Sequence, residues 1–189
     1  MTMAASLIPH HEFGAPWTID DLKDLPDDDG NRYEIYDGSL LVTPHAGKFH
    51  GNATNRLHGL MARQVPKELL VGQSVGVSRK RTSYFIPDLF VVSEAACAED
   101  GDAFHPTDVL VVVEVLSPSN ARQDLILKRD EYALAGIPLY WIVDPRQQTL
   151  TVLELAIDGM YREAQVVRPG EVWRTDKPFP LAFDLAEIF

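Results

Sequence analysis

The sequence predicts one α/β domain, a mixed β-sheet with helices before and after its central strands. Three features carry that expectation. Residues 109–116 form a nearly continuous β-branched run, the pattern of a strand buried on both faces. Ala53, Leu57, Leu60 and Met61 recur at helical spacing. Asp37-Gly38 and Asp158-Gly159 each stand between two strand-like segments, where hairpin turns are expected. A chain of 189 residues is about one domain long.

The elements run in order along the chain. Residues 1–16 read as a tail and residues 17–189 as the domain. Thr18 and Asp21 fit a capping box that opens a short helix, ended by Pro26 and the aspartates after it. Residues 32–37 and 39–43 pair about Asp37-Gly38. A helix spans 47–65, stopped by Pro66. Residues 69–77 and 84–92 are strands, with Arg79-Lys80-Arg81 as a basic turn between them. Residues 93–107 are a polar loop before the central strand at 109–116. Ser117-Pro118-Ser119-Asn120 breaks that strand and caps a helix over 121–135, which Gly136 ends. Strands at 139–143, 149–155 and 161–167 complete a meander. Residues 179–189 are apolar enough to pack on the domain.

Composition narrows the function. Hydrophobic residues are 46% and charged residues 24%, an ordinary globular composition that favours neither disorder nor a fibrous repeat. The net charge of −11 argues against an electrostatic nucleic-acid binder. However, residues 20–29 hold six aspartates and one lysine, so −5 of it lies in one segment. One cysteine, Cys97, excludes an internal disulfide and a multi-thiolate zinc site. The N-terminal residues lack the pattern of a signal peptide, and no apolar run approaches the roughly 18 residues of a membrane span. A soluble, cytoplasmic protein is expected. His-Glu-x-x-His, Gly-x-Ser-x-Gly and a Gly-rich phosphate loop are all absent.

Two acids interrupt otherwise apolar strands. Asp88 is the only charge in residues 84–92, and Glu114 is the only charge in 109–116. Strand parity places Asp88 with Ile86, Phe90 and Val92, and Glu114 with Leu110, Val112 and Leu116. A buried carboxylate costs several kcal/mol unless it is paired or holds a cation. Two of them suit a hard cation such as Mg²⁺. On the next helix, Ala121, Leu125, Lys128, Tyr132 and Ala135 share one stripe, so Lys128 faces the sheet. The competing reading is a snorkelling lysine. Asp124 stands four residues before Lys128, either orienting it or forming a surface pair. Glu34 alternates with aromatic and apolar neighbours, and His50 lies early in a helix. Each is read either as a site residue or as a solvated one.

In order, Tyr33-Glu34-Ile35-Tyr36-Asp37-Gly38, Pro87-Asp88, Glu114-Val115-Leu116-Ser117-Pro118-Ser119, Asp124 to Lys128, Tyr132, Ala135-Gly136-Ile137-Pro138 and Tyr140-Trp141-Ile142-Val143-Asp144-Pro145 form a set. This set resembles the PD-(D/E)XK nuclease superfamily. The closer likeness is to its Uma-two family of small restriction-endonuclease-like bacterial proteins, over roughly residues 17–170. The superfamily pattern has a lysine two residues after the acid, where this chain has Leu116. The resemblance implies that the lysine has migrated to the following helix, with Lys128 as the candidate.

The resemblance implies a restriction-endonuclease-like core and a Mg²⁺-dependent endonuclease acting on DNA, with Mn²⁺ as a substitute. Asp88, Glu114 and the Val115 carbonyl would hold the metal. Lys128 would polarise water or stabilise transition-state charge. Glu34 would join the metal shell directly or through water, and His50 would contact phosphate or assist proton transfer. Arg79, Lys80 and Arg81 would position the nucleic-acid backbone, against the alternative of a solvated turn. A homodimer is expected on the ground that double-strand cutters often pair. Two other readings stand beside this one. The first is a catalytically weak nuclease-like protein that binds nucleic acid or a partner protein. The second is a structural or interaction protein with no site.

Overall fold

The computed structural model describes residues 12, 14–26, 29–45, 47–117 and 123–189, with side chains excepted at 123–125. The capping box forms as expected. Asp21 accepts from Thr18 N–H at 2.7 Å, and a 3₁₀ turn runs over Ile19–Asp24. Strands β1 (Asn31–Tyr36) and β2 (Ser39–Pro44) pair antiparallel through Asp37-Gly38. Both turn residues have positive φ, at 44° and 81°. That is the geometry a two-residue hairpin demands and Asp-Gly supplies. Helix α1 is Lys48–Ala62. It buries Ala53, Leu57, Leu60 and Met61, and His50 and Thr54 lie on the same stripe.

Two expected strands are each split. The segment at 69–77 is β3 (Leu69–Gly72) and β4 (Gly76–Lys80), separated where Ser74 takes a φ of 61°. The segment at 84–92 is β5 (Ser83–Phe85) and β6 (Leu89–Ser93), separated at Ile86-Pro87-Asp88. Pro87 has no N–H to give a ladder. Both breaks have one cause: the chain passes from one sheet to another there. Arg79 and Lys80 consequently lie in β4, and Arg81 alone is in the turn. The loop at 93–107 contains 3₁₀ turns and the short β7 (Ala103–Phe104).

The central strand is β8 (Val109–Val115). Residues 118–122, which include most of the expected helix cap, lie outside the described residues. The helix after them is wound differently from the regular one expected: a π-helical stretch over Gln123–Lys128 leads into α2 (Arg129–Leu134). Strands β9 (Leu139–Asp144), β10 (Thr149–Leu155) and β11 (Tyr161–Val167) form as expected. β12 (Val172–Thr175) and β13 (Leu181–Asp184) form a further hairpin that the sequence pattern does not predict.

The strand order is β11-β10-β9-β8-β6-β3 in a six-stranded mixed sheet and β2-β1-β5-β4-β7 in a five-stranded one. In the large sheet β8 runs parallel to β9 and antiparallel to β6. One face buries Leu89, Val91, Val111, Val113 and Trp141 under α1 and the β12–β13 hairpin. The other buries Phe90, Val92, Val112 and Tyr140 against Tyr132 of α2 and Phe85 of the small sheet. β8 is therefore covered on both sides, as its β-branched run requires. Phe179, Leu181 and Phe183 pack into the first face, so the apolar C-terminal segment docks as expected. No helix among the described residues is long and apolar enough to cross a membrane.

Gly72, at the first crossing, shows how tight the seam is. A Cβ there would stand 2.2 Å from Cζ of Phe90, whose ring is 1% exposed. Overpacking of this kind costs about 1–3 kcal/mol. Gly72→Ala is expected to lower the urea midpoint accordingly; an unchanged midpoint would show that the ring yields freely.

Candidate functional site

The site forms where the chain crosses between the sheets. Arg32 and Glu34 are two apart on β1 and so share a face. Asp88 lies at the second crossing. β6 and β8 pair as Leu89↔Val113, so the next step of that register sets Asp88 beside Glu114. Helix α1 contributes His50, and the π-helical turn before α2 contributes Lys128 at its last position. Glu34, Asp88, Glu114 and Lys128 are all 3% exposed or less, which rules out solvation as their means of carrying charge.

Each charge has partners instead. Lys128 Nζ lies 2.9 Å from Glu34 Oε1 and 3.0 Å from Glu114 Oε1. Ile86 N–H donates to the same Glu34 oxygen at 2.8 Å, and Tyr132 O–H donates to Glu114 Oε1 at 2.8 Å. Asp88 Oδ2 accepts from Val115 N–H and from His50 Nε2, both at 2.8 Å. Asp88 Oδ1 accepts from Arg32 Nη1 at 3.1 Å. The same Arg32 nitrogen is 3.3 Å from the Ile86 carbonyl, which ties the guanidinium to the crossing itself.

These contacts set the ionisation of the site. Burial alone would raise the Asp88 pKa. The hydrogen bond and charge of His50, then the charge of Arg32 and the Val115 N–H, outweigh that and bring it to about 2. The Tyr132 hydroxyl is pushed well above its ordinary value by burial and by the charges of Glu114 and Glu34, so it stays a donor. Burial works against the charge on Arg32, but Asp88, Glu114 and Glu34 together raise its pKa. All three carboxylates therefore act on this one guanidinium.

Stability should depend on pH through Asp88. Its folded pKa is below the ordinary aspartate value near 3.9. Its contribution to stability is then complete above about pH 4 and is lost as pH falls through about 2. The amount is on the order of 2 kcal/mol. In urea unfolding from pH 5 to pH 2, the wild-type protein is expected to lose about that much more than Asp88→Asn. Parallel losses in the two proteins would contradict it.

Of the residues singled out in the sequence, Glu34, His50, Asp88, Glu114, Val115 and Lys128 come together. Lys128 reaches Glu114 despite Leu116 at the motif position. Val115 is present through its N–H, which donates to Asp88. The Asp124 side chain lies outside the described residues. Arg79, Lys80 and Arg81 are each engaged by an acid: Arg79 with Glu131 at 3.6 Å, Lys80 with Asp37 at 2.5 Å, and Arg81 with Asp20. The site has two further members that the sequence does not single out as functional. Arg32 stands on the face of Glu34, so strand parity is the available signal. Tyr132 is on the predicted stripe one turn after Lys128, where a tyrosine reads equally well as packing.

The donor set has the chemistry for a divalent cation. Three buried carboxylates offer hard oxygen atoms, and Mg²⁺ commonly takes one or two carboxylates with water completing its shell. As arranged here, Lys128 and Arg32 hold the positive places. Among the described residues no three acidic, histidine or cysteine side chains are grouped so that, as they stand, they could hold a metal ion.

Comparison with known proteins gives a family and a fold. The chain matches the model of the Uma2 family, described as "Putative restriction endonuclease", over residues 19–187. No curated protein matches it. Among solved structures it is similar to one described as "a putative nuclease belonging to DUF820" from Anabaena variabilis ATCC 29413. The TM-score is 0.71 at 17% identity, over 92% of this chain and 98% of that one. At that identity the likeness is one of fold.

Proposed function

The chain belongs to the Uma2 family, and from that premise we propose that it is a Mg²⁺-dependent endonuclease hydrolysing DNA phosphodiester bonds. The observation that supports this most is the buried convergence of Glu34, Asp88 and Glu114 on Lys128 and Arg32 at the end of β8. A core that needed only stability would place apolar residues there, since buried ion pairs are often no better than well-packed hydrophobes.

Asp88 and Glu114 would hold the cation, with the Val115 carbonyl as a further ligand. When bound, it would neutralise charge on the phosphoryl oxygens and lower the pKa of a water. Every other part belongs to the chain. Lys128, fixed by two carboxylates, presents its ammonium without reorganisation, which is the condition under which such a charge is most effective. Tyr132 holds Glu114 in place by donating to the same oxygen that Lys128 bonds. Glu34 orients Lys128 and would join the metal shell directly or through water. His50 stands against Asp88, where it contacts phosphate or carries a proton. Mn²⁺ would substitute for Mg²⁺.

The test is cleavage of plasmid and oligonucleotide DNA with Mg²⁺ or Mn²⁺. Activity should end on adding EDTA and be absent in Asp88→Ala. Cleavage that persists in clean Asp88→Ala protein would remove this site from the reaction. One observation favours a second reading, a catalytically weak nuclease-like protein that binds nucleic acid or a partner protein. Lys128 and Arg32 already neutralise the acids. That reading requires DNA or partner binding without turnover, and no saturable Mg²⁺ binding in calorimetry.

A further inference from the structure

A cavity of about 740 Å³ opens beside the carboxylate cluster, lined by Lys48, Phe49, His50, Leu116, Asp144 and Arg146 among others. It is continuous with the site. His50 bonds Asp88, and Leu116 directly succeeds Val115, whose N–H bonds the same carboxylate. Its walls are mostly apolar. On its rim Phe49 is 87% exposed, the only aromatic among the exposed large hydrophobic residues described. A cavity of this size is in the range that accepts a small organic ring system.

The rim is positive. Lys48 is the first residue of α1, and no acid stands in that first turn. A helix N-terminus ordinarily favours acids, so a lysine there works against the helix and for an anion. The N-cap is Gly47, which offers no side chain to the first-turn amides. Arg146, in the turn between β9 and β10, also lines the cavity. Neither Lys48 nor Arg146 has a salt-bridge partner within 4.0 Å among the described residues, whereas Arg79, Lys80 and Arg81 all do. The carboxylate of the cavity, Asp144, accepts from the backbone N–H groups of Arg146 and Gln147 at 2.8 and 3.1 Å.

We propose that this cavity is a nucleotide subsite: Phe49 stacks on an unpaired base of DNA, and Lys48 and Arg146 take the flanking phosphates. This rests on the nuclease reading and deepens it, because it names the substrate as single-stranded or locally unpaired DNA. A base inside a duplex has both faces covered by its neighbours, so it has none to give Phe49. Unpaired bases offer a π-face whatever their identity, which makes the subsite tolerant of sequence. The phosphate contacts belong to this rim and not to the paired cations of β4.

The experiment uses the full chain and fluorescein-labelled DNA 20-mers, single-stranded and fully paired, with Ca²⁺ replacing Mg²⁺ to hold off cleavage. Wild type should bind the single strand more tightly. Phe49→Ala and Phe49→Leu should each weaken single-strand binding about tenfold, while Phe49→Trp retains it. A base in contact with wild type should change its 2-aminopurine fluorescence, and Phe49→Ala should abolish the change. Lys48→Ala with Arg146→Ala should lower the slope of log single-strand affinity against log salt by about 1.4. Phe49→Leu binding as well as wild type would overturn the subsite and leave the nuclease reading intact. Failure of wild type to bind either DNA would overturn both.

Discussion

Replacing Lys128 by methionine is expected to lower stability by about 3–5 kcal/mol in metal-free buffer. Methionine fits the same space with similar reach, so the loss comes from charge and not from a cavity. Lys128 is 2% exposed and bridges two carboxylates that are buried as deeply. Without it, Glu34 and Glu114 lose the ammonium that both face, and neither can turn to water. The double variant Lys128→Met, Glu34→Gln should recover part of the loss, since one of the two uncompensated charges is gone. Adding Mg²⁺ should also recover part of it, because a cation can occupy the vacated positive place. Equilibrium urea unfolding reads all of these. Cleavage should be lost in Lys128→Met even where Mg²⁺ restores stability. A loss under 1 kcal/mol in metal-free buffer would show that the bridge carries little of the fold.

Much of this site is legible in the sequence because buried charge is costly and therefore conspicuous. Asp88 and Glu114 stand out as single acids in apolar strands, and the helical stripe turns Lys128 toward the sheet, where it meets Glu114 and Glu34. The meander and the Asp37-Gly38 hairpin are legible for an equally local reason: period and turn chemistry are written in adjacent residues. The illegible part depends on which sheet a segment joins. Residues 69–77 and 84–92 have strand composition throughout, yet each is divided because its halves serve different sheets. Pro87 hints at this, and Ser74 does not. Arg79 and Lys80 look like a free basic turn only because their partners, Glu131 and Asp37, are distant in sequence. β12 and β13 are short and separated by Asp176 to Pro180, so neither shows a period long enough to read. The π-helical winding ahead of α2 leaves no such mark either. Lys128 and Tyr132 still reach Glu114 because their spacing of four falls at its end.

Arg32 leads to the second large effect, in which one substitution moves two measurements in opposite directions. Its guanidinium bonds Asp88 and feels all three site carboxylates. A divalent cation held by Asp88 must therefore share or take over a place that Arg32 already holds. Arg32→Gln keeps a donor but removes the charge. In metal-free buffer it should destabilise the protein, by about 1–3 kcal/mol for a charge-assisted bond in a partly exposed side chain. The loss is smaller than for Lys128, because Asp88 keeps His50 and the Val115 N–H. Calorimetric Mg²⁺ affinity should rise at least tenfold, since two unit charges about 4 Å apart interact by roughly 4 kcal/mol at an effective dielectric of 20. The same change in melting temperature should then be seen at a lower Mg²⁺ concentration than in wild type. If affinity falls instead, Arg32 supports the cation's ligands rather than competing with it. Its place beside Asp88 would then be part of the assembled site. A rise in affinity means that Arg32 holds Asp88 in the metal-free fold at the place a cation would take.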